Sequence, residues 1–204
     1  MTAAQAKPGS RRVRDGAATR KLILDATEKI MREEGYAAVS SRRVAEQAGL
    51  TSPLVHYHFG TMDDLFLALY RRSEEEYLKR QLEALTSPRP VEALWKLCIE
   101  PNSEFVSEFI ALAVHREAVR DEIARSNDRT RAIQAAVLAQ SLRAAGVDSE
   151  ELPAEVLAFL IAAVSRTLVT EGALGASPGH EAVRTFIEQR LARLEARNAE
   201  SARA

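Results

Sequence analysis

Leu22, Ile23, Ala26, Ile30 and Met31 recur three to four residues apart, a spacing that places them on one face of an amphipathic helix. That pattern predicts a first helix beginning near Ala17 to Thr19 and stopping at Gly35, which can take the left-handed conformation that ends helices. Before it, Met1 to about Arg14 has no periodicity and carries Pro8, Gly9 and three arginines, so a mobile basic arm is expected. After it, Val44, Ala45 and Ala48 mark the inner face of a short helix with Ser40 as its N-cap. Gly49 breaks that helix, Leu50 reaches the core, and Thr51 caps the next one. Pro53 falls in the first turn there, where its missing N–H removes no internal bond. Phe59 and Gly60 end this helix and Thr61 starts another. Two short helices joined by a glycine-containing turn make a helix-turn-helix.

The rest of the chain reads as helix after helix. A long one is expected from about Asp63 to Leu85 on Leu65, Phe66, Leu69, Tyr70 and Tyr77. Ser87-Pro88-Arg89-Pro90 interrupts it, and a short helix then holds Leu94, Trp95 and Cys98. A break at Pro101-Asn102-Ser103 precedes Phe105, Phe109, Ile110 and Ala113. Another helix runs to Gly146, and the last two start near Pro153 and Pro178, the latter with Ser177 as N-cap. From Val156 to Val164 the first of these is apolar on every side, so it must be covered all round. The final helix carries Val183, Phe186, Ile187, Leu191 and Leu194 on one stripe, with Arg184, Glu188 and Arg193 opposite. The expected architecture is all-α with about nine helices. It divides into an arm (1–14), a three-helix helix-turn-helix domain (15–62), a helical bundle (63–198) and a tail (199–204).

Composition sharpens this picture. Hydrophobic residues make up 46% and charged residues 28% of 204, enough for a buried core in a soluble chain. The net charge of −1 hides an asymmetry: ten basic and six acidic residues up to Met62 give the head +4, leaving −5 for the body. A basic head on an acidic body suits a polyanionic partner for the head alone. Cys98 is the only cysteine, which excludes an internal disulfide and fits a reducing compartment. The start lacks the apolar segment of a secretory signal. The run Val156 to Val164 is shorter than the ~20 residues a bilayer span needs, so a cytoplasmic location without membrane contact is expected.

The head also resembles a known family. Thr19-Arg20-Lys21-Leu22-Ile23-Leu24-Asp25-Ala26, Gly35-Tyr36, Ser40, Val44-Ala45, Ala48-Gly49-Leu50-Thr51, Tyr57-His58-Phe59-Gly60 and Leu65-Phe66 fall at the spacing of TetR-type helix-turn-helix regulators. Together they cover roughly the first third of the chain. The resemblance implies a ligand-released repressor that binds a palindromic operator in double-stranded DNA as a homodimer, through a body that senses a small, largely apolar effector. It also implies that the last two helices pair with their twins in a four-helix seam, formed by Phe159, Val183, Phe186, Ile187, Leu191 and Leu194. Two positions depart from the family pattern. His56 stands where a backbone-contacting tyrosine is usual. Met62, followed by Asp63 and Asp64, stands where a phosphate-pairing lysine is usual.

A recognition helix presents its N-terminal residues to base edges. Here Ser52 can bond several bases, while Pro53 and Leu54 suit a thymine methyl. His56, Tyr57 and His58 lie further along, and Thr51 and Ser40 sit at helix N-termini, where free N–H groups attract phosphate. Arg20, Ser41, Arg42 and Arg43 complete the expected DNA-facing set, with Arg42, Arg43 and the N-terminal arm expected to carry more of the backbone grip in place of the missing lysine. His56 and His58 point ~200° apart on a helix, so one metal does not take both, and no metal or cofactor is expected. In the body, Ser126, Thr130 and Gln140 interrupt the apolar stripe Val119, Ile123, Ile133, Val137. Their polar groups need partners, which a ligand, water or a neighbouring helix can supply. Trp95, Phe105 and Phe109 can line an apolar pocket or be plain core, and Arg166 can meet an acidic ligand or a salt bridge. No Gly-rich phosphate loop, metal-spaced Cys/His set or Ser-His-Asp arrangement supports an enzyme. A helical adaptor with a weakened head is the remaining alternative.

Overall fold

Pro8 to Glu34 form a single helix, α1. It starts earlier than the apolar pattern predicts because Pro8 fits a first turn, and the arginines and alanines that follow are good helix formers without needing a buried face. The computed structural model describes residues 8–100, 103–147, 150 and 152–201. The expected arm before Pro8 and the end of the expected tail lie outside the described residues.

Eight further α-helices follow among the described residues: α2 (Ser41–Ala48), α3 (Ser52–His58), α4 (Met62–Leu85), α5 (Pro90–Cys98), α6 (Ser103–His115), α7 (Glu117–Ala144), α8 (Ala154–Ala173) and α9 (His180–Ser201). A 3-10 turn at Tyr36–Ala38 joins α1 to α2. Gly35 enters that turn at φ 81°, open to glycine but strained for other residues. The helix α9 begins at His180, after the expected Ser177 cap. Ser177 O accepts from His180 N at 3.1 Å, so Ser177-Pro178-Gly179 form a turn, and Gly179 O accepts the first helical bond from Val183 N.

The chain forms two compact units, one running through Arg72 and resuming from Glu108 to Arg120, the other comprising the remainder. In the first, α1 packs on α2 and α3. Its core contains Ile23, Ile30, Met31, Val44, Val55, Phe59, Leu65, Phe66, Leu69 and Leu112. Thr27 is buried among them, its hydroxyl satisfied by Ile23 O at 2.7 Å. Arg72 donates to Asp25 at 2.6 Å and Glu28 at 2.7 Å, fastening α4 to α1. Glu108 accepts from the backbone N–H of Tyr36 at 2.6 Å, which ties α6 to the turn after α1.

In the second unit α5 packs on α8 and α9. Val91, Trp95, Leu138, Leu142, Ala158, Ile161, Leu168 and Leu191 build its core. The N-cap residue of α5, Arg89, gives no side-chain cap bond. Glu195 from α9 takes that role, accepting from Val91 N at 2.7 Å. The apolar run Val156 to Val164 is the middle of a 20-residue helix whose length and mean hydropathy of 1.5 suffice to cross a bilayer. Length therefore argues less against a span than the run alone suggested. Ala154, Ala158, Ile161, Ser165 and Leu168 of this helix are buried in the unit's own core.

Candidate nucleic-acid interface

The helix-turn-helix is built from local bonds. Ser40 Oγ accepts from Arg43 N at 3.2 Å and caps α2. Gly49 closes that helix in the left-handed conformation at φ 65°, and Leu50 N returns to Ala45 O at 2.8 Å. Thr51 is the N-cap residue of α3, with Pro53 in the first turn, but its side chain makes no cap bond. The exposed Thr51 hydroxyl is thus left for a partner outside the helix.

Along α3 the inner face is Val55, followed by Phe59 at the C-cap, both buried. Pro53, His56 and Tyr57 face outward, Tyr57 with 81% of its surface exposed. Ser52, Leu54 and His58 are half-buried. Tyr57 and His58 meet edge to face at 5.2 Å. Arg20 lies over the Phe59 ring at 4.0 Å and donates to His58 O at 2.8 Å, holding the end of α3 on α1. This arginine therefore positions α3.

The two adjacent arginines differ. Arg42 is exposed and makes no ion pair with another described residue. Arg43 forks onto Glu34, Nη2 at 2.5 Å and Nε at 3.3 Å, with Glu46 at 3.9 Å. Its hydrogen bonds hold the Glu34 carboxyl below the usual carboxylate range and raise its own pKa further. Ser40 is exposed and Ser41 half-buried at the start of the same helix. At α4, Thr61 N donates to Asp64 at 2.9 Å and Asp64 N donates to Thr61 Oγ1 at 3.0 Å, a reciprocal capping box. Asp63 pairs with Arg116. The two acids beside Met62 are thus engaged within the fold.

The body residues singled out by sequence separate. Trp95, Phe105 and Ser126 are buried in the second unit and Thr130 is half-buried there. Phe109 belongs to the first unit, packed edge to face on Tyr70 at 5.2 Å. Arg166 is exposed, outside the buried set, because its position on α8 falls off the Ile161, Ser165, Leu168 face. Gln140 is likewise exposed. The buried polar residues Gln81, Glu122 and Gln134 escaped sequence reasoning. Gln81 follows Tyr77 by one turn, and that spacing was the only signal available.

Six seam residues were expected. Phe159, Val183 and Phe186 are exposed, Phe159 at 58% and Phe186 at 53%, while Ile187 and Leu194 are half-buried. Leu191 is 5% exposed and belongs to the chain's own core. It follows Ile187 by one turn, shares a core cluster with Val91 and Trp95, and also borders the cleft between α8 and α9, so it supports the fold directly. Between α8 and α9 lies an apolar groove of about 650 Å³ lined by Leu157, Leu160, Val164, Val183, Phe186 and others.

Residues 23–69 match the family model for bacterial regulatory proteins, tetR family. The HTH-type transcriptional regulator HbdR of Aromatoleum sp. (strain CIB) is 34% identical over 84 residues, 39% of this chain and 37% of HbdR. The HTH-type transcriptional repressor AcnR of Corynebacterium glutamicum is 26% identical over 164 residues, 78% of this chain and 84% of AcnR. The chain thus spans little more than a third of HbdR and most of AcnR. A candidate transcriptional regulator from Saccharomonospora viridis, solved in complex with choline, is similar in fold. Its TM-score is 0.69 at 19% identity, over 84% of this chain and 96% of that one. With its helix-turn-helix on α2 and α3 and this match over residues 23–69, the head of the chain carries the helix-turn-helix domain of the tetR family of bacterial regulatory proteins.

Proposed function

We propose that this chain is a homodimeric transcriptional repressor that binds a palindromic operator and is released by a small molecule. The observation that carries the reading is the outer face of α3. Pro53, His56 and Tyr57 project from a helix whose inner face and C-terminal end are fixed. Ser52 and Leu54 at its start offer one hydroxyl and one apolar contact to base edges. Thr51, Ser40, Ser41 and Arg42 surround this face with groups suited to phosphate. Arg43 becomes available only if phosphate outcompetes Glu34. Engagement of Asp63 and Asp64 within the fold favours this reading over that of an adaptor with a weakened head.

A second copy is the natural cover for the groove between α8 and α9, where Leu160, Val183 and Phe186 stand exposed, and for Val156 and Phe159, exposed elsewhere on α8. Apolar surface of this kind gains free energy when it leaves water, and two-fold pairing matches operator symmetry. The choline held by the Saccharomonospora viridis protein supports a small-molecule effector in the second unit. Such a ligand releases DNA only to the extent that it binds one state better than the other. Reading an operator places the protein with the chromosome, in the cytoplasm.

The test is fluorescence anisotropy of the full chain against DNA from upstream of its own gene, beside a scrambled duplex, across a salt series. Tight, salt-sensitive, sequence-selective binding is expected. Equal and weak binding to every sequence in a random-duplex selection would overturn the reading.

A further inference from the structure

Among the described side chains of α2 and α3, Arg42 is the one fixed cation without an acid partner, since Arg43 is forked onto Glu34. The positive charge that this face offers to DNA is therefore small, and one added charge changes it substantially. His56 is the group placed to add it. Its side chain is exposed on the outer face of α3, and among the described residues it has no hydrogen-bond or ion-pair partner. The charged groups on the surrounding elements are engaged elsewhere. On α1, Arg20 lies over Phe59 and donates to His58 O, and Lys21 pairs with Asp25. On α2, Glu46 lies 3.9 Å from Arg43. At the start of α4, Asp63 pairs with Arg116 and Asp64 holds Thr61. On α3 itself, His58 is half-buried and meets Tyr57 edge to face. Among the described residues, no carboxylate holds the His56 ring against an incoming phosphate.

Helical geometry sets His56 in angle between Ser52 and Pro53, and roughly 5 Å further along the axis. A helix that enters the major groove N-terminus first turns Ser52 and Pro53 to base edges. Because a helix about 10–12 Å across fills a groove about 12 Å wide, a side chain one turn behind them lies at the groove wall, where the phosphates run. Imidazole is the side chain whose ordinary charge change falls between about pH 5 and 8. An anion at hydrogen-bond distance favours its charged form and strengthens the bond. We propose that His56 takes up a proton from solvent as α3 seats on DNA, and that the resulting imidazolium donates a hydrogen bond to a backbone phosphate. A ring that holds its proton more tightly when bound than when free contributes affinity that is fully present at low pH and is lost as pH rises. DNA binding therefore strengthens on acidification. This rests on α3 being the helix that meets DNA.

The full chain is titrated by fluorescence anisotropy with two labelled duplexes, the strongest binder from a random-sequence selection and a scrambled version of it. Each is measured at about pH 8 and about pH 6, across a salt series at matched ionic strength. The lower pH should tighten binding roughly three- to tenfold for each head in contact and steepen the salt slope by about one unit. Both duplexes should respond alike, because phosphate contacts carry no sequence information. His56→Gln should lose both changes. His56→Lys, charged throughout, should show the steeper slope at both pH values. His56 is exposed, so the melting temperatures of both variants should match the parent's. A pH response kept in His56→Gln would assign the proton to His58, His115 or His180 and overturn the proposal. A response confined to the selected duplex would mean a base contact and overturn it too. The repressor reading is judged separately, by whether the selected duplex binds more tightly than its scrambled form. Equal binding with a His56-dependent pH response would remove operator reading and keep the proton-linked contact. No binding to either duplex at low salt would overturn both.

Discussion

Arg42 and Arg43 are neighbours of identical type, yet the fold gives them different tasks. Arg42→Ala is expected to flatten the salt dependence of DNA binding by about one unit, as loss of one phosphate contact does. Arg43→Ala should change that slope less, because Glu34 already holds its guanidinium. Glu34→Gln should free Arg43 and steepen the slope; an unchanged slope would show that Arg43 does not reach phosphate. Acid sensitivity follows from the same kind of pair. The Asp25 carboxyl is held below its ordinary pKa by hydrogen bonds from Lys21 first and then Arg72, against some desolvation. A carboxyl with a lower pKa folded than unfolded contributes fully above its unfolded value of ~4, and that contribution disappears as pH falls through the folded value. The melting temperature should therefore be flat from about pH 7 to 5 and fall below about pH 4. A Lys21→Met, Arg72→Met double variant should fall less steeply, and calorimetry across that range checks it.

At the scale of the helix, Ser40 and Thr51 occupy equivalent N-cap positions with different consequences. Ser40→Ala removes a real cap bond and should cost about 1 kcal/mol of stability. Thr51→Ala removes no such bond, so its melting temperature should stay close to that of the parent while its DNA affinity drops. Equal losses of stability in the two variants would return Thr51 to a purely structural role. The boundaries of α2 and α3 were readable because Ser40, Gly49, Thr51 and Pro53 act through their own backbones. The start of α9 was not. Ser177 was an equally good cap by type, but Pro178 and Gly179 bend the chain into a turn before the helix can propagate.

For the whole molecule, the proposed dimer seam separates residues that share one stripe in sequence. Leu191 is buried within its own chain, so Leu191→Glu should unfold the second unit rather than merely divide the proposed dimer. Phe186→Glu, on the exposed part of the groove, should give a monomer with near-normal helicity. Light scattering with circular dichroism distinguishes the two. A Phe186→Glu protein that remains dimeric would move the seam elsewhere.

The sequence by itself determined the helix-turn-helix and the all-helical body, because caps, glycine breaks and 3.6-residue periodicity are local properties, and its head carried the family resemblance. It did not reveal which face of a helix with apolar residues all round would stay uncovered, as with Phe159 on α8, or that Leu191 would turn inward. Nor did it separate Arg42 from Arg43, place Glu195 over the start of α5, or disclose Gln81 as a buried amide. Those outcomes depend on which residues from distant parts of the chain meet. A side chain's burial and its hydrogen-bond partner are properties of that meeting, and only the tertiary structure decides them.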